Sequence, residues 1–144
     1  MKKTFTVAAA SLIALASIAP IASAAELRVD INNIQDVTGS LYISVYQNEL
    51  GFKTNSNFVK REKAVVDNNR VEINLGDLPA GEYAIKVYQD VNNNGKMDFH
   101  GMLPNEPYGS SGSNTNTKNV APPNFSDAKF TLDKAQTISI ELLK

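Results

Sequence analysis

The sequence predicts an all-β protein, an antiparallel β-sandwich of about seven strands. Apolar and polar residues alternate in most segments after residue 25, which is the pattern of strands with one buried face. Clusters of Gly, Pro, Asn and Asp separate these segments at short intervals, and such clusters mark turns. Helical periodicity is scarce. Many short strands between turns favour two packed sheets, so a sandwich is the expected fold and a small closed barrel is the alternative.

The predicted strands are recognised by their alternating apolar positions. In order these are Leu27, Val29 and Ile31; Leu41, Ile43 and Val45; Val71, Ile73 and Leu75; Tyr83, Ile85 and Val87; Ala128, Phe130 and Leu132; and Ile138, Ile140 and Leu142. The short apolar run 64–66 adds a seventh strand, which is expected to form a hairpin with 71–75 through the Asn-Asn pair at 68–69. Residues 47–61 are expected to form a loop or a short helical turn. Tyr42 and Tyr46 should lie on the outer face as cross-strand surface pairs.

The N-terminus has the features of a secretory signal peptide. A basic start at Lys2 and Lys3 precedes an apolar run, and residues 22–24 read Ala-Ser-Ala, a small-x-small cleavage site. The apolar run is shorter than the roughly 20 residues that a bilayer span needs, which disfavours a membrane anchor. We therefore expect residues 1–24 to be removed and residues 25–144 to form one domain. The mature protein should be periplasmic or secreted and should not span a membrane.

Composition excludes several classes of function. The 144 residues include 15 acidic and 14 basic ones without a basic run, so nucleic acid is not an expected partner. The chain has no Cys, so an exported protein of this sequence depends on its core, or on a bound ion, instead of disulfides. The absence of Cys and the presence of a single His disfavour a zinc site. Trp is absent as well, which disfavours a sugar platform built on Trp.

Residues 90–98, which read DVNNNGKMD, have the spacing of a calcium loop. Side-chain oxygens stand at the first, third, fifth and ninth positions and glycine stands at the sixth, as in loops that curl around calcium. We name this segment the Asx loop. It predicts calcium as the cofactor. The predicted ligands are the side chains of Asp90, Asn92, Asn94 and Asp98 and the backbone carbonyl of Lys96.

The predicted calcium shell is incomplete within the loop. Gly101 occupies the twelfth position, where helix-loop-helix calcium sites carry a bidentate Glu. Glu106 or Asp127 could supply the missing carboxylate from another loop. Few carboxylates and several neutral amides predict a modest affinity, micromolar to millimolar, and the length of the loop disfavours Mg²⁺. The alternatives are another ligand or an Asx-rich turn without an ion, because Asn-Gly alone forms a hairpin turn.

The long segment 90–126 lacks alternation and is expected to be a loop, partly mobile around residues 110–119. Long loops in compact domains are usually functional or disordered. This one contains the only histidine, His100, so a hydrolase that uses Asp98, His100 and Glu106 is an alternative function. The sequence has no Gly-x-Ser-x-Gly nucleophile motif and no recognisable acid pair for glycoside hydrolysis. A non-enzymatic protein is therefore expected.

Several segments, in this order, resemble the DUF2141 family, exported bacterial domains of unknown function. They are residues 39–46 (GSLYISVY), 78–90 (LPAGEYAIKVYQD), 92–98 (NNNGKMD), 104–109 (PNEPYG) and 122–128 (PPNFSDA). The resemblance covers nearly all of residues 26–144 and departs after Gly109, where the family tends toward Gly-Phe-Ser-Asn. It implies a prealbumin-like or immunoglobulin-like sandwich in which Tyr83 packs near the Pro-Gly turn. It implies no established activity, and it places Glu106 and Asp127 in shared segments.

The expected function is that of an exported, non-enzymatic module. Calcium in the Asx loop would order the long loop as a recognition surface. The partner would be an envelope protein or a glycan. The remaining alternative is a purely structural envelope module that binds no ion.

Overall fold

A computed structural model of the chain describes residues 23–112 and 123–143. Almost all of the predicted signal peptide, and the polar segment from 113 to 122, lie outside the described residues. The elements of the described part are β1 (Ala24–Asn32), β2 (Ser40–Tyr46), α1 (Glu49–Thr54), β3 (Lys60–Val65), β4 (Val71–Pro79), β5 (Gly81–Asp90), β6 (Phe99–His100), β7 (Leu103–Pro104), β8 (Tyr108–Ser110), α2 (Phe125–Ala128), β9 (Phe130–Leu132) and β10 (Gln136–Glu141).

The longer strands form two sheets that share one core. The first sheet has the order β10-β1-β4, and the second has the order β3-β2-β5-β8, with β9 also paired to β5. One cluster of buried side chains draws on both sheets, with Leu27 and Ile140 from the first and Ile43 and Ile85 from the second. The predicted all-β sandwich is confirmed, and the strands of the described part do not close into a barrel.

Most strand pairs are antiparallel, but β1 and β10 are parallel. Leu27 lies opposite Gln136 and Asn32 lies opposite Glu141. Alternation within a strand reports which face is buried and carries no information about the direction of its neighbour. The sequence therefore predicted both strands and could not predict this pairing.

The predicted hairpin between residues 64–66 and 71–75 is wrong. Strand β3 pairs with β2, and β4 pairs with β1 in the other sheet, so the Asn-Asn turn carries the chain from one sheet to the other. Arg70, directly after this turn, binds Asp30 of β1 with two bonds, Nε to Oδ1 at 2.7 Å and Nη2 to Oδ2 at 2.8 Å. This bidentate pair fastens the start of β4 to β1.

Helix α1 lies within the segment where the sequence predicted a loop or a short helical turn. Its N-cap, Asn48, accepts the N–H of Gly51 at 2.8 Å, which satisfies a free donor of the first turn. Phe52 of α1 packs edge-on against Tyr46, with ring centroids 5.5 Å apart. Tyr46 is therefore buried under α1, and its predicted place on the outer surface is wrong. Tyr42 does form the expected cross-strand pair, with Tyr88.

Strand β5 lies between β2 and β8 in the second sheet and leads directly to the Asx loop. At its start, the buried Tyr83 donates its hydroxyl to the carbonyl of Pro79 at 2.7 Å, so the tyrosine packs at the Pro-Gly turn as the family resemblance implied. At its end, Asp90 pairs with Ser40 of β2. Gly39 precedes Ser40 with φ +75°, and a Cβ added at this glycine would meet the backbone carbonyl of Asp90. A side chain at residue 39 would therefore collide with the end of β5.

The segment 90–126 is more structured than expected. It contains the β6–β7 hairpin, strand β8 and the first two residues of α2. Elements of two or three residues are too short to produce a recognisable alternation, so the sequence could not reveal them. Among the described residues, no helix is long and apolar enough to cross a membrane.

Candidate metal loop and its anchor

The Asx loop curls around the side chain of Asp90. This residue is fully buried, and its Oδ1 and Oδ2 accept the backbone N–H groups of Asn94 at 3.0 Å and Gly95 at 2.7 Å. Gly95 has φ +82°, a left-handed conformation that glycine adopts without steric cost. The first and sixth positions of the predicted calcium loop are therefore joined, and the glycine makes the sharp turn.

Two further side-chain oxygens follow the same curl. Asn92 Oδ1 accepts the N–H of Asn94 at 3.0 Å, and Asn94 Oδ1 accepts the N–H of Lys96 at 3.1 Å. These are Asx turns, in which an oxygen binds the backbone two residues ahead. Because Asp90 and Asn92 accept the same N–H, their oxygens lie side by side. The third and fifth positions are thus drawn in with the first.

Asp98 closes the cluster. Its Oδ2 accepts Asn92 Nδ2 at 2.7 Å, and its two oxygens accept Asn94 Nδ2 at 2.9 and 2.8 Å. The amide of Asn94, and then that of Asn92, hold the pKa of Asp98 below its ordinary value by binding its charged form. The four predicted side-chain ligands therefore come together. The side chain of the fifth, Lys96, would take no part, because only its carbonyl is a predicted ligand.

The chemistry of this cluster fits a weak, oxygen-binding cation site. Only Asp90 and Asp98 bring carboxylates, and among the described residues no three His, Cys, Asp or Glu side chains are grouped to hold a metal. The remaining oxygens belong to amides, whose oxygen and nitrogen exchange places by a half-turn. Such a turn of Asn92 and Asn94 would direct oxygens toward an ion beside Asp98, and it would exchange the two Asx-turn bonds to the N–H groups of Asn94 and Lys96 for contacts with that ion. Calcium accepts such mixed oxygen shells.

Glu106 lies at the Asx loop, as expected, but in a different role. The residue is only 4% exposed. Its Oε1 accepts the N–H of Val91 at 2.9 Å, and its Oε2 accepts the N–H of Asp98 at 3.0 Å. Both oxygens are therefore bound to the backbone at the second and ninth positions of the loop. Glu106 is an anchor that fixes the two ends of the Asx loop relative to each other.

The structure does not bring Asp127 to the Asx loop. Asp127 is exposed on α2, which is fastened beside the middle of β5 by the buried Ser111. The Ser111 hydroxyl donates to the carbonyl of Ala128 at 2.6 Å and accepts the N–H of Ile85 at 2.7 Å. From Ile85 to Asp90 the strand advances about 16 Å. The segment containing Asp127 therefore packs α2 onto the sandwich, away from the loop.

His100 is exposed on β6 and pairs with Leu103. Within the described residues no hydrogen bond joins it to Asp98 or Glu106. Both carboxylates are already bound, Asp98 by two amides and Glu106 by two backbone N–H groups. In the described residues, the three residues of the hydrolase alternative are therefore not linked by direct hydrogen bonds between their side chains.

Two features next to the loop were not foreseen. Ser40 donates its hydroxyl to Asn93 Oδ1 at 2.9 Å, which ties the loop to β2. Only the register of β2 on β5 could have indicated this hydrogen bond.

The second feature is an apolar tip on the β6–β7 hairpin, formed by Phe99, Met102 and Leu103, of which Met102 is 95% exposed. The sequence contained these residues, but only the structure shows that all three are exposed on one short hairpin.

Comparison with known proteins leads to a family without an assigned activity. No curated protein matches this chain, and no solved structure matches it. The model of a bacterial family described as "Uncharacterized protein conserved in bacteria (DUF2141)" matches residues 29–140, from within β1 to within β10. This match covers most of the chain and agrees with the resemblance seen in the sequence. The protein therefore belongs to the DUF2141 family.

Proposed function

We propose that this protein is an exported, non-enzymatic β-sandwich module whose Asx loop binds calcium and thereby holds the apolar tip in position for recognition of an envelope partner. The observation that carries the proposal is the convergence of four oxygen-bearing side chains on one cluster, at the first, third, fifth and ninth positions of the loop. A simple hairpin turn needs two such residues and would not require the others to meet.

Calcium would be held by the loop's own oxygens, completed by water. The ion takes six to eight oxygens. The side chains of the four converging residues and the carbonyl of Lys96 would supply part of that shell. Bound calcium would also neutralise the like charges of Asp90 and Asp98, which lie in the same cluster. Because only these two carboxylates are available, the affinity belongs in the micromolar to millimolar range of extracellular modules.

Asp98 couples the ion to the apolar tip. Its side chain belongs to the cluster, while its carbonyl accepts the N–H of Asn105 at 2.8 Å at the base of the β6–β7 hairpin. Its own N–H is held by Glu106. Fixing Asp98 would therefore fix the base of the hairpin that carries Phe99, Met102 and Leu103. Several exposed apolar side chains grouped on one short hairpin are a feature of interaction sites.

Calorimetric titration and thermal melting of residues 25–144, in calcium and in chelator, test the calcium site. Calcium at about a hundred times its dissociation constant should stabilise the protein by about 2.7 kcal/mol. Asp98→Asn should weaken calcium binding about tenfold or more, equivalent to about 1.4 kcal/mol. Asp133→Asn, on the exposed turn between β9 and β10, is the matched control and should bind as the parent does. Absence of both heat and a Tm shift at millimolar calcium would reject the site.

Export is tested separately from calcium. Cells that produce the full chain should release it into the periplasm or the medium, and the mass of the product should correspond to a chain that starts at Ala25. β1 begins at Ala24, so this cleavage would remove only the first residue of the strand. Retention of the uncleaved chain in the cytoplasm would reject the proposed compartment and leave the calcium titration unaffected.

A further inference from the structure

The outer face of the second sheet carries a row of three tyrosines. Alternation places Tyr42, Tyr88 and Tyr108 opposite the core side, and the strand register puts Tyr88 between the other two. The rings of Tyr42 and Tyr88 stack with centroids 5.0 Å apart and an angle of 7°. Neighbouring strands are about 4.8 Å apart, so this tyrosine row, with Lys63 at its end opposite Tyr42, extends about 14 Å across four strands.

Two cations lie over the end of the tyrosine row. The guanidinium carbon of Arg61 is 5.4 Å from the ring centroid of Tyr42 and 5.5 Å from that of Phe58. Lys63 Nζ lies 5.1 Å from the same Tyr42 centroid. Contacts with aromatic faces hold such cations in place by attraction to the ring quadrupole. Arg61 is thus positioned between two rings and still exposed.

Within the described part of the chain, neither of these two cations forms an ion pair. Across residues 23–112 and 123–143, the ion pairs use Arg28, Lys60, Arg70 and Lys129 as their cations. Glu62, between Arg61 and Lys63 in sequence, lies on the other face of β3 and pairs with Lys60 at 3.1 Å. Two like charges over one ring repel each other, although the chain as a whole contains slightly more acidic than basic residues. An anionic group placed between them would remove that repulsion.

The third cation of this face, Lys86, is already engaged. Lys86 donates to the carbonyl of Phe52 at 2.5 Å and to Asn55 Oδ1 at 2.9 Å. Burial against α1 lowers its pKa. The site for an anion is therefore limited to Arg61 and Lys63, and the neighbouring tyrosine row is left to contact the rest of the ligand.

We propose that this face binds an acidic saccharide, with its anionic group on Arg61 and Lys63 and its sugar rings along the tyrosine row. The planar guanidinium presents a fork of N–H groups suited to a carboxylate, sulfate or phosphate. The tyrosines combine apolar ring surface with hydroxyls, and Ser44 adds a hydroxyl on the same face; sugar rings offer matching C–H and hydroxyl groups. A nucleic acid needs more phosphate contacts than two cations provide, and a lone inorganic anion would leave the row unused.

The saccharide site borders the Asx loop but does not depend on it. A Cβ added to Gly95 would lie 4.0 Å from the Tyr42 hydroxyl, so the loop forms one wall of the site. Arg61, Lys63 and the tyrosine row are held by β2, β3, β5 and β8. Binding should therefore persist in chelator, and failure of the calcium proposal would leave this one standing.

Tyrosine fluorescence provides the readout, because the chain has no Trp and three of its five Tyr residues form the row. Residues 25–144 are titrated in chelator with tetragalacturonate, with a sulfated heparin tetrasaccharide and with neutral maltotetraose. At least one acidic tetrasaccharide should bind at least about tenfold more tightly than maltotetraose, a difference equivalent to one strong charge-assisted contact. Its affinity should fall as salt is raised, since exposed charges are screened.

Variants separate the named contacts from general charge attraction. Arg61→Gln and Lys63→Gln should each weaken the acidic tetrasaccharide about tenfold, and Arg61→Lys should give an intermediate loss because it keeps the charge without the fork. Lys134→Gln, on the exposed β9–β10 turn, is the matched control and should bind as the parent does. All four variants change exposed side chains, so an unchanged Tm verifies that they are folded.

Four outcomes would overturn the proposal. These are no binding of either acidic tetrasaccharide, equal binding of maltotetraose, parent-like affinity in both Gln variants, and displacement by inorganic sulfate as efficient as by the acidic tetrasaccharide itself. The last outcome would mean that Arg61 and Lys63 hold a small anion and that the tyrosine row contributes nothing.

Discussion

Replacing Glu106 by Gln separates an anchor from a metal ligand. The Glu106 carboxylate accepts one backbone N–H with each oxygen, from Val91 at 2.9 Å and from Asp98 at 3.0 Å. Gln has the same shape but only one acceptor oxygen, so its NH₂ group would face one of these donors. The substitution therefore removes one hydrogen bond and weakens the other, because a neutral amide oxygen replaces a charged acceptor. It also leaves one partly buried backbone N–H unpaired.

The size of the effect follows from these two bonds. A hydrogen bond to a charged group contributes about 1.5–3 kcal/mol, and an unpaired buried donor costs about 1–3 kcal/mol. Because both terms describe the same lost contact, we expect a loss of about 2–3 kcal/mol in the free energy of unfolding. For a domain of this size each kcal/mol corresponds to a Tm decrease of about 4 °C.

Urea unfolding of residues 25–144 in chelator measures this loss without a contribution from calcium. Glu49→Gln, at the exposed start of α1, is the matched control and should stay within about 0.5 kcal/mol of the parent. Amide hydrogen exchange adds a local readout, because the N–H groups of Val91 and Asp98 should lose protection. A destabilisation no larger than that of the control would refute the anchor, and a loss seen only in calcium would make Glu106 a ligand instead.

Two further predictions concern the frame around the loop. Gly39→Ala should lower the free energy of unfolding by about 3 kcal/mol or more, because the new methyl would collide with the carbonyl of Asp90. Gly76→Ala should lower it by only about 1–2 kcal/mol, since the φ of +77° is unfavourable for Ala but the space around the residue is open. Equal losses for the two variants in urea unfolding would contradict this prediction. Arg70→Ala should lower the free energy of unfolding at neutral pH, because it removes both bonds to the Asp30 carboxylate. Arg70 lowers the pKa of Asp30. The stability that the pair contributes is therefore present above the unfolded-state pKa of about 3.9, and it is lost as the pH falls through the folded-state pKa of Asp30. If the difference in unfolding free energy between variant and parent stayed constant down to pH 2, this prediction would be wrong.

Periodicity in the sequence was sufficient to find most strands. In β1, for example, Leu27, Val29 and Ile31 are buried as predicted, because one-sided burial imposes a period of two on the chain. The partners of the strands were harder to predict. The parallel pairing of β1 with β10 and the separation of β3 from β4 are long-range properties, and no local pattern encodes them.

The same division applies to the candidate sites. The spacing of Asp90, Asn92 and Asn94 is local, so their convergence could be predicted. The role of Glu106 could not, because a carboxylate suits a cation and a pair of N–H groups equally well. Asp127 was misplaced since a position in sequence does not reveal which part of β5 its helix packs against. Arg61 became significant only when the register of β3 placed it over Tyr42.

The placement of the two chain ends decides how this protein can be tethered. Ala24 lies opposite Pro79, beside the start of β5, whereas Leu143 bridges to Tyr108. Strand β5 runs about 30 Å from that start to Asp90. A surface attachment made at Ala25, the first residue of the proposed mature chain, would therefore hold the molecule by the end remote from the Asx loop and leave the apolar tip accessible. A fusion after Leu143 would crowd the tyrosine row, so binding measurements on immobilised protein should use the N-terminal attachment.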